Sequence, residues 1–412
     1  MLVSDTSDES FRPLEPLPYH RQIRDYLMEE EAEIWNWYCS HRVREDQAES
    51  IRFELLKSTY RIDRDSQPDW YEIADLALSR LNLDVPLTIY QAQHAEGMNA
   101  SLAYLPSEAH IILFGPISSK LSREELLSVF AHELSHLLLW QQWDGEFLIV
   151  DQILAALTND RKAHPAHLES MRLFSLYNEI FCDRGSLFVT DDPNVVVSSL
   201  VKISSGLDSV NAESYLKQAA EIFERESGPS QSLSHPESYI RARAVQLWHN
   251  RDVDAETKIT DMIQGQPALN ELDLLAQRTI EVKTRRMVDS LLAPNWMQTE
   301  VMLGHSRRFF DEYAPPAASH SDEALATDLK TDDQLLLDYY CYVLLDFVTV
   351  DRDLEECPLA ASLILAEHAG IQSRFTEIVR KELKLRKNQL DRIDREKNKI
   401  VENAAKEFAP KP

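Results

Sequence analysis

Two histidines and a glutamate occur in the segment His132-Glu133-Leu134-Ser135-His136 with the spacing that metal-assisted hydrolysis requires. Residues four apart lie on one face of a helix, so His132 and His136 can reach the same metal ion. Glu133 follows the first histidine and can lean over a water molecule held by that ion. The segment therefore predicts a zinc site in which Glu133 acts as a general base.

The surrounding residues, 122–140, have the pattern of a buried helix. Ser122 is a suitable N-cap, and Glu125 three residues later completes a capping box. Apolar residues recur at three- and four-residue spacing, at Leu126, Val129, Phe130, Leu134, Leu137 and Leu138. The two histidines lie within this apolar face, where polar groups without partners are costly. Metal binding is therefore favoured over the alternative of a surface helix with two incidental histidines.

A tetrahedral catalytic zinc takes three protein ligands and keeps its fourth position for water. In the helical segment 173–187, Glu179 and Asp183 are four residues apart and project from one face. We expect Glu179 to bind the metal and Asp183 to accept a hydrogen bond from the outer ring nitrogen of a ligand histidine. The alternatives are an exposed acidic pair at these positions, or a ligand from His164 or His167 in a stretch with loop character.

Four motifs follow one another between about residues 70 and 250. They are Met98-Asn99-Ala100 with the apolar run 110–114, Ala131-His132-Glu133-Leu134-Ser135-His136, Glu179 with Asp183, and Ser234-His235-Pro236 followed by Arg241. In order and approximate spacing, this set resembles the gluzincin metallopeptidase family that contains the CAAX prenyl protease and the HtpX heat-shock protease. The third histidine and intervening glycine of metzincin-type peptidases are absent after His136.

The resemblance implies a zincin-like peptidase domain with one zinc ion. The implied ligands are His132, His136 and Glu179. It also implies that Glu133 is the base, that His235 faces the cleft and stabilises the oxyanion, and that Arg241 helps to hold the region of Asp183. Typical members of the family carry transmembrane helices near these motifs, whereas this chain has none, so it resembles a soluble relative.

Composition limits the class of protein. The chain has 412 residues, of which 44% are hydrophobic and only nine are glycine, which favours a mostly helical protein with two or three domains. A net charge of −26 disfavours binding to nucleic acid or to anionic membrane surfaces. The first residues lack a secretory signal, and no apolar run reaches the roughly twenty residues of a membrane span. Four scattered cysteines without a C-x-x-C motif fit buried thiols in a reducing compartment, so we expect a cytoplasmic protein.

The predicted fold class is α+β and predominantly α. An acidic lead and a helical segment occupy 1–69, the metallopeptidase domain 70–254, and a helical C-terminal domain 255–412. Three strands at 86–90, 101–104 and 109–114 are predicted to form a small sheet packed on the histidine-bearing helix. We expect the last of them to be an edge strand to which a peptide substrate adds, through Ile111, Ile112 and Leu113.

Residues 335–385 loosely resemble the helical tellurite-resistance (TerB-like) domain. An acidic turn containing Asp351 and Asp353 is similar to that domain's metal-associated turn but lacks its glycine. A solvated acidic turn between helices is the favoured alternative. Whether these two aspartates bind a second metal stays open at this point.

Two functions of different classes follow from these patterns. The first is a zinc-dependent endopeptidase that hydrolyses polypeptides through a metal-activated water, with Glu133 as general base. The second is a non-catalytic, metal-containing scaffold that recruits a protein partner through its C-terminal helical domain. An intact Glu133 favours the first, because a structural metal site has no use for a base.

Overall fold

The computed structural model describes residues 14–40, 45–93, 97–105, 108–159, 163–225, 228–315 and 322–407. The chain divides into two compact units, Met1–Gly265 and Gln266–Pro412. Both are dominated by helices, and the first also holds one small sheet, so the predicted α+β, predominantly α class is confirmed. The domain boundaries given above stay a prediction. Of the predicted acidic lead at residues 1–18, residues 1–13 lie outside the described residues.

The helices of the first unit come before, between and after the strands of the sheet in the sequence. They are α1 (Pro18–Glu30), α2 (Ala32–Ser40), α3 (Glu45–Ser58), α4 (Pro68–Arg80), α5 (Ile117–Lys120), α6 (Arg123–Gln141), α7 (Glu146–Asn159), α8 (Pro165–Thr190), α9 (Pro193–Ser205), α10 (Ala212–Arg225), α11 (Ser238–His249) and α12 (Ala255–Ile263). The predicted capping box begins α6, since Ser122 Oγ accepts from Glu125 N at 3.2 Å and Glu125 Oε2 accepts from Ser122 N at 2.8 Å.

Four strands form the sheet in the order β1-β2-β4-β3. They are β1 (Thr59–Arg61), β2 (Leu87–Ala92), β3 (Asn99–Leu105) and β4 (Glu108–Phe114). The pairs β1–β2 and β3–β4 are antiparallel, and β2–β4 is parallel. Strand β1 was not predicted, because its three residues directly continue a helix and show no alternation of their own.

The prediction that Ile111, Ile112 and Leu113 form the substrate edge is wrong. These residues lie on β4, which pairs with β2 on one side and with β3 on the other. Ile111 and Leu113 are buried completely in the core that the sheet shares with α4 and α6. The chain crosses over between β2 and β3, so that the last strand in sequence becomes a central one. Within the described part of the sheet, β3 is the edge strand on that side.

Helices α6 and α8 pack closely through small side chains. A Cβ built on Gly185 of α8 would lie only 2.7 Å from the Cβ of Ser135 on α6, which is too close for two side chains. One residue later, Ser186 Oγ donates to the carbonyl of Ser128 at 2.7 Å. Glycine is therefore needed at position 185 to hold the two helices at this separation.

Gly185→Ala is expected to lower the free energy of unfolding by about 2 kcal/mol. Overpacking costs roughly 1–3 kcal/mol, whereas alanine by itself favours a helix by about 1 kcal/mol over glycine. Gly304→Ala in the second unit is the matched control, because a Cβ there meets no heavy atom within 4 Å. Urea denaturation measures both, and equal behaviour of the two variants would contradict the close packing.

The second unit is built around one apolar core. Its helices are α13 (Leu274–Leu291), α14 (Glu300–Ser306), α15 (Asp322–Asp328), α16 (Gln334–Val348), α17 (Cys357–His368), α18 (Gln372–Glu382) and α19 (Lys387–Glu407). The TerB-like resemblance and a protein partner for this unit stay predictions. Asp351 uses both carboxylate oxygens internally, since they accept from Thr299 Oγ1 at 2.7 Å and from Asp353 N at 3.0 Å. Those bonds favour a structural cap over a second metal site.

The sequence predicts that the chain has no membrane-spanning helix and that its cysteines are buried thiols. Within the described part of the chain, none of the helices combines the length and apolar character needed to cross a lipid bilayer. All four cysteines are free, but only Cys182 and Cys341 are buried, and Cys39 is exposed. The expectation of uniformly buried thiols is therefore wrong at Cys39.

Candidate metal centre

Three of the predicted ligands converge where α6 and α8 pack together. His132 Nε2 lies 3.4 Å from Glu179 Oε2, and His136 Nε2 lies 3.5 Å from Glu179 Oε1. The histidines are one turn apart on α6, and the close approach at Gly185 brings Glu179 of α8 to them. Two imidazole nitrogens and one carboxylate therefore face a common point.

This donor set fits a zinc ion. Bonds of about 2.0 Å in a tetrahedron place neighbouring ligand atoms roughly 3.3 Å apart, close to the separations seen here. Glu179 is only 5% exposed, and among the described residues its Oε2 accepts no hydrogen bond. A buried carboxylate oxygen without a hydrogen bond is costly unless a cation meets it. Arg241 Nη1 lies 3.0 Å away as an ion pair without hydrogen-bond geometry, so it balances part of the charge but leaves the oxygen without a hydrogen bond.

Cys182 is a competing third donor. Ligand atoms of His132, His136 and Cys182 all lie within 4.8 Å of one another. Burial raises the pKa of the Cys182 thiol well above its ordinary value, so in the metal-free protein the thiol is protonated and would have to lose its proton to bind a metal. Burial would also raise the pKa of Glu179, but Arg241 and the two histidines hold it below the ordinary range. Glu179 is therefore ionised and is the stronger candidate.

Asp183 and Arg241 lie behind the centre and orient it. His132 Nδ1 lies 3.1 Å from Asp183 Oδ1, so that Nδ1 donates to the carboxylate and Nε2 points to the centre. Arg241 of α11 donates from Nε to Asp183 Oδ2 at 2.8 Å and from Nη2 to Oδ1 at 2.6 Å. The same guanidinium also meets Glu179, so one buried cation fixes two carboxylates of α8 relative to α6.

The two histidines differ electrostatically. Burial lowers the pKa of His136 to about 4, so its ring is neutral and ready to bind a metal at neutral pH. Burial also acts to lower the pKa of His132, but the carboxylates of Asp183 and Glu179 outweigh it and raise that pKa to about 10. Metal binding must therefore displace a proton from His132 and is expected to strengthen with pH.

Glu133 is buried between α6 and the edge of the sheet. It is 7% exposed, and the backbone of Leu102 on β3 acts to lower its pKa slightly. Burial raises its pKa from 4.5 to about 7, which is the range suited to a base near neutral pH. Glu133 follows His132 in the chain and lines the cleft in front of the metal centre.

The raised pKa of Glu133 has a consequence for the stability of the metal-free protein. The Glu133 carboxyl loses its proton near pH 4.5 in the unfolded chain and near pH 7 in the folded chain. The protonated carboxyl therefore adds fully to the free energy of unfolding below pH 4.5, and this contribution is lost as the pH rises through 7. Glu133→Gln cannot titrate. Relative to wild type, its free energy of unfolding should rise by about 1–3 kcal/mol from about pH 5 to about pH 8. Urea denaturation with a chelator measures this, and a pH-independent difference would contradict it.

His235 lies at the mouth of the site, in the segment between α10 and α11. Its Nε2 is 3.6 Å from Glu179 Oε1, and its Nδ1 is 2.8 Å from Ser234 Oγ. The side chain is 58% exposed, unlike the buried residues behind it. It can thus reach a substrate bound in front of the centre.

The cleft in front of the centre has a volume of about 400 Å³. The edge strand β3 forms one wall with residues 99–102, and α9 forms another with Val196, Ser199, Leu200 and Ile203. Neither Trp140 nor the α9 wall was predicted from the sequence. Trp140 is four residues after His136, so helical spacing could have found it, whereas nothing local marks α9.

The alternative ligands His164 and His167 are far from the centre. His164 caps α8, and its side chain accepts from Ala166 N at 3.3 Å. At 1.5 Å per residue, the 15 residues from His164 to Glu179 correspond to about 22 Å along the helix. These histidines do not line the cleft. Within the described ranges, the cluster at the centre is the one group of three possible metal donors.

The site combines a helix that carries two histidines and a glutamate, a second helix that carries two carboxylates, and the edge strand of a sheet. This combination is that of a zincin-type metallopeptidase domain. Residues 71–249 match peptidase family M48, and this match supports the gluzincin family. The resemblance inferred from the motifs is thereby confirmed.

The chain is also similar to a curated plant protein. It is 29% identical to "Plastoglobule-localized metallopeptidase 48, chloroplastic" of Arabidopsis thaliana over 216 residues, which are 47% of this chain and 61% of that protein. The match thus spans less than two thirds of the relative. No solved structure matches the chain. Because that relative is chloroplastic, the cytoplasmic location expected here stays a prediction.

Proposed function

We propose that this protein is a zinc-dependent endopeptidase. The observation that carries the proposal is the approach of His132 Nε2 and His136 Nε2 to within 3.5 Å of the two oxygens of Glu179, beside the buried carboxylate of Glu133. The match of residues 71–249 to a peptidase family supports the same reaction class. We assign His132, His136 and Glu179 as ligands of one zinc ion and Glu133 as the base.

His132, His136 and Glu179 would hold a zinc ion, and that ion would supply a Lewis acid that lowers the pKa of water towards neutrality and polarises a carbonyl group. Glu133 accepts the proton of the attacking water and delivers it to the leaving amine. In the metal-free protein burial raises its pKa to about 7, so its affinity for a proton is greater than that of an exposed glutamate. Asp183 keeps His132 in the tautomer with a free Nε2, and Arg241 keeps Asp183 ionised.

His235 is assigned to the oxyanion that develops on the scissile carbonyl. Its ring nitrogen Nε2 lies 3.6 Å from Glu179 Oε1, at the open side of the centre. A donor fixed where negative charge develops stabilises the transition state more than the ground state. His235 therefore acts as an electrostatic partner and not as a proton-abstracting base.

The substrate is a polypeptide in extended conformation. Strand β3 lines the cleft with residues 99–102 and is the edge of the sheet on this side, so a peptide can add to it through main-chain hydrogen bonds. This assignment replaces β4, whose two edges are both paired. The walls of α9 and Trp140 then contact the substrate side chains.

Hydrolysis of an unfolded protein tests the proposal. The purified chain should release peptides from casein, lose this activity with a chelator and regain it with stoichiometric zinc. A scaffold would lose stability with the chelator and hydrolyse nothing in any state. Cleavage that persists after the metal has been removed would end the zinc-peptidase assignment.

A further inference from the structure

The segment that carries His235 is held in place by residues outside the metal centre. We call residues 228–237 the rim loop. Within the described ranges, the polar contacts of the His235 side chain are those with Ser234 Oγ, in the same loop, and with Glu179. A 58% exposed ring with so few contacts cannot fix its own position. Its placement must come from the backbone of the rim loop.

Arg172 ties this loop to α8. Its Nη1 donates to the carbonyl of Ser230 at 3.2 Å and to that of Ser232 at 3.0 Å. The other side of the guanidinium makes two bonds of 2.7 Å to the carboxylate of Glu169, which lies one turn earlier on the same helix. Arg172 is part-buried and its charge is neutralised, so its fork has a fixed direction.

Glu237 ties the loop from the other end. Its Oε2 accepts from Ser230 Oγ at 2.7 Å, and its Oε1 accepts from Gln231 N at 3.1 Å. Ser230 is 1% exposed, and its N–H donates to the carbonyl of Met262 at 2.9 Å. Glu237 directly precedes α11, the helix that carries Arg241. The loop is therefore bonded at Ser230, Gln231 and Ser232, just before His235.

Arg172 and Glu179 lie on the same rigid helix. They are seven residues apart, which is two turns or about 10 Å along the axis. Arg172 thus fixes the rim loop relative to the same helix that carries Glu179. Glu237 does the same with respect to α11, whose Arg241 meets Glu179 and Asp183.

We infer that Arg172 and Glu237 are positioning residues that hold His235 in front of the metal centre, acting through the rim loop. The inference rests on the proposed function, because His235 matters only if the centre hydrolyses peptides. Neither residue touches the substrate. A displacement of about 1 Å in a catalytic group can lower a rate about 100-fold, so a released loop should cost much of the contribution of His235.

A double-mutant cycle tests this role. Arg172→Ala should lower kcat by about 10- to 100-fold and change KM less than about 3-fold, with zinc content unchanged. In a His235→Ala background the same substitution should have almost no further effect on kcat, because the group it positions is gone. Arg172→Lys keeps the charge without the fork and should restore only part of kcat. The matched control is Arg64→Ala, which removes an equally forked but exposed ion pair with Asp75 and should leave kcat unchanged.

A second measurement does not depend on activity. Hydrogen exchange of peptides covering the rim loop should be faster in Arg172→Ala, and in Glu237→Gln, than in wild type or Arg64→Ala. Unchanged exchange, or a full loss of kcat from Arg172→Ala in the His235→Ala background, would overturn the inference. If wild type hydrolyses no peptide, the proposed function fails, while exchange still decides whether Arg172 and Glu237 hold the loop.

Discussion

Glu133→Gln should abolish hydrolysis while the zinc stays bound. Glutamine has almost the shape of glutamate but cannot accept the proton of the attacking water, and loss of a general base lowers kcat by about 10²- to 10⁴-fold. His132, His136 and Glu179 are untouched, so metal content should remain at one zinc per chain. Peptide release from casein and elemental analysis of the same preparation measure the two outcomes together.

The matched control for this variant is Glu124→Gln. Glu124 lies on the same helix, in the first turn of α6, but its side chain is exposed and does not line the cleft. It should keep the activity and the zinc of the wild type. Hydrolysis by Glu133→Gln at the wild-type rate would show that Glu133 is not the base.

Glu179→Gln should empty the metal site, whereas Cys182→Ser should leave it filled. Glutamine removes the charged ligand oxygen, and loss of a ligand is expected to weaken zinc binding by about 100-fold or more, since loss of a supporting partner alone costs 10- to 100-fold. Cys182 lies three residues further along the same buried helix, but burial raises the pKa of its thiol, which would have to lose its proton to bind a metal. Zinc per chain after dialysis against a weak chelator separates the two donor sets.

Together, the two variants decide whether Glu179 or Cys182 is the third metal ligand. Both residues are buried on α8, and both substitutions keep nearly the size of the side chain. A wild-type zinc content in Glu179→Gln together with loss of zinc in Cys182→Ser would assign the third ligand to the thiol. His136→Ala should lose zinc in either case and serves as the positive control.

Arg241 makes the centre depend on residues that are distant in sequence. Its guanidinium meets both Glu179 and Asp183, and it comes from α11, 58 residues after Asp183. Without it, two buried carboxylates would lie close together and repel each other. The cation therefore permits an acidic ligand and an acidic hydrogen-bond acceptor to share one buried helix face.

Much of the site was predictable because it depends on local periodicity. The spacing of His132, Glu133 and His136, the capping box at Ser122 and the pair Glu179 and Asp183 are all fixed by 3.6 residues per helical turn. That period correctly predicted these helices and the residues that share a face on each.

Long-range pairing was less accessible. Ile111, Ile112 and Leu113 have the apolar character of a strand, but apolar character does not say whether a strand has one neighbour or two. The crossover that puts β3 outside β4 decides this, and it depends on how the whole sheet packs on α4 and α6. The short strand β1 was also missed, because it directly continues a helix and its partner β2 lies about 30 residues away in the chain.

The sequence by itself thus determined the candidate reacting groups, their helices and the mostly helical class of the chain, because each depends on residues within a turn or two of one another. Only the tertiary structure decided that Glu179 and not a loop histidine meets the pair on α6, that β3 borders the cleft, and that Arg172 holds the rim loop. Those outcomes depend on which helices approach closely enough to touch, and that is set by contacts such as Gly185 against Ser135, whose partners are 50 residues apart.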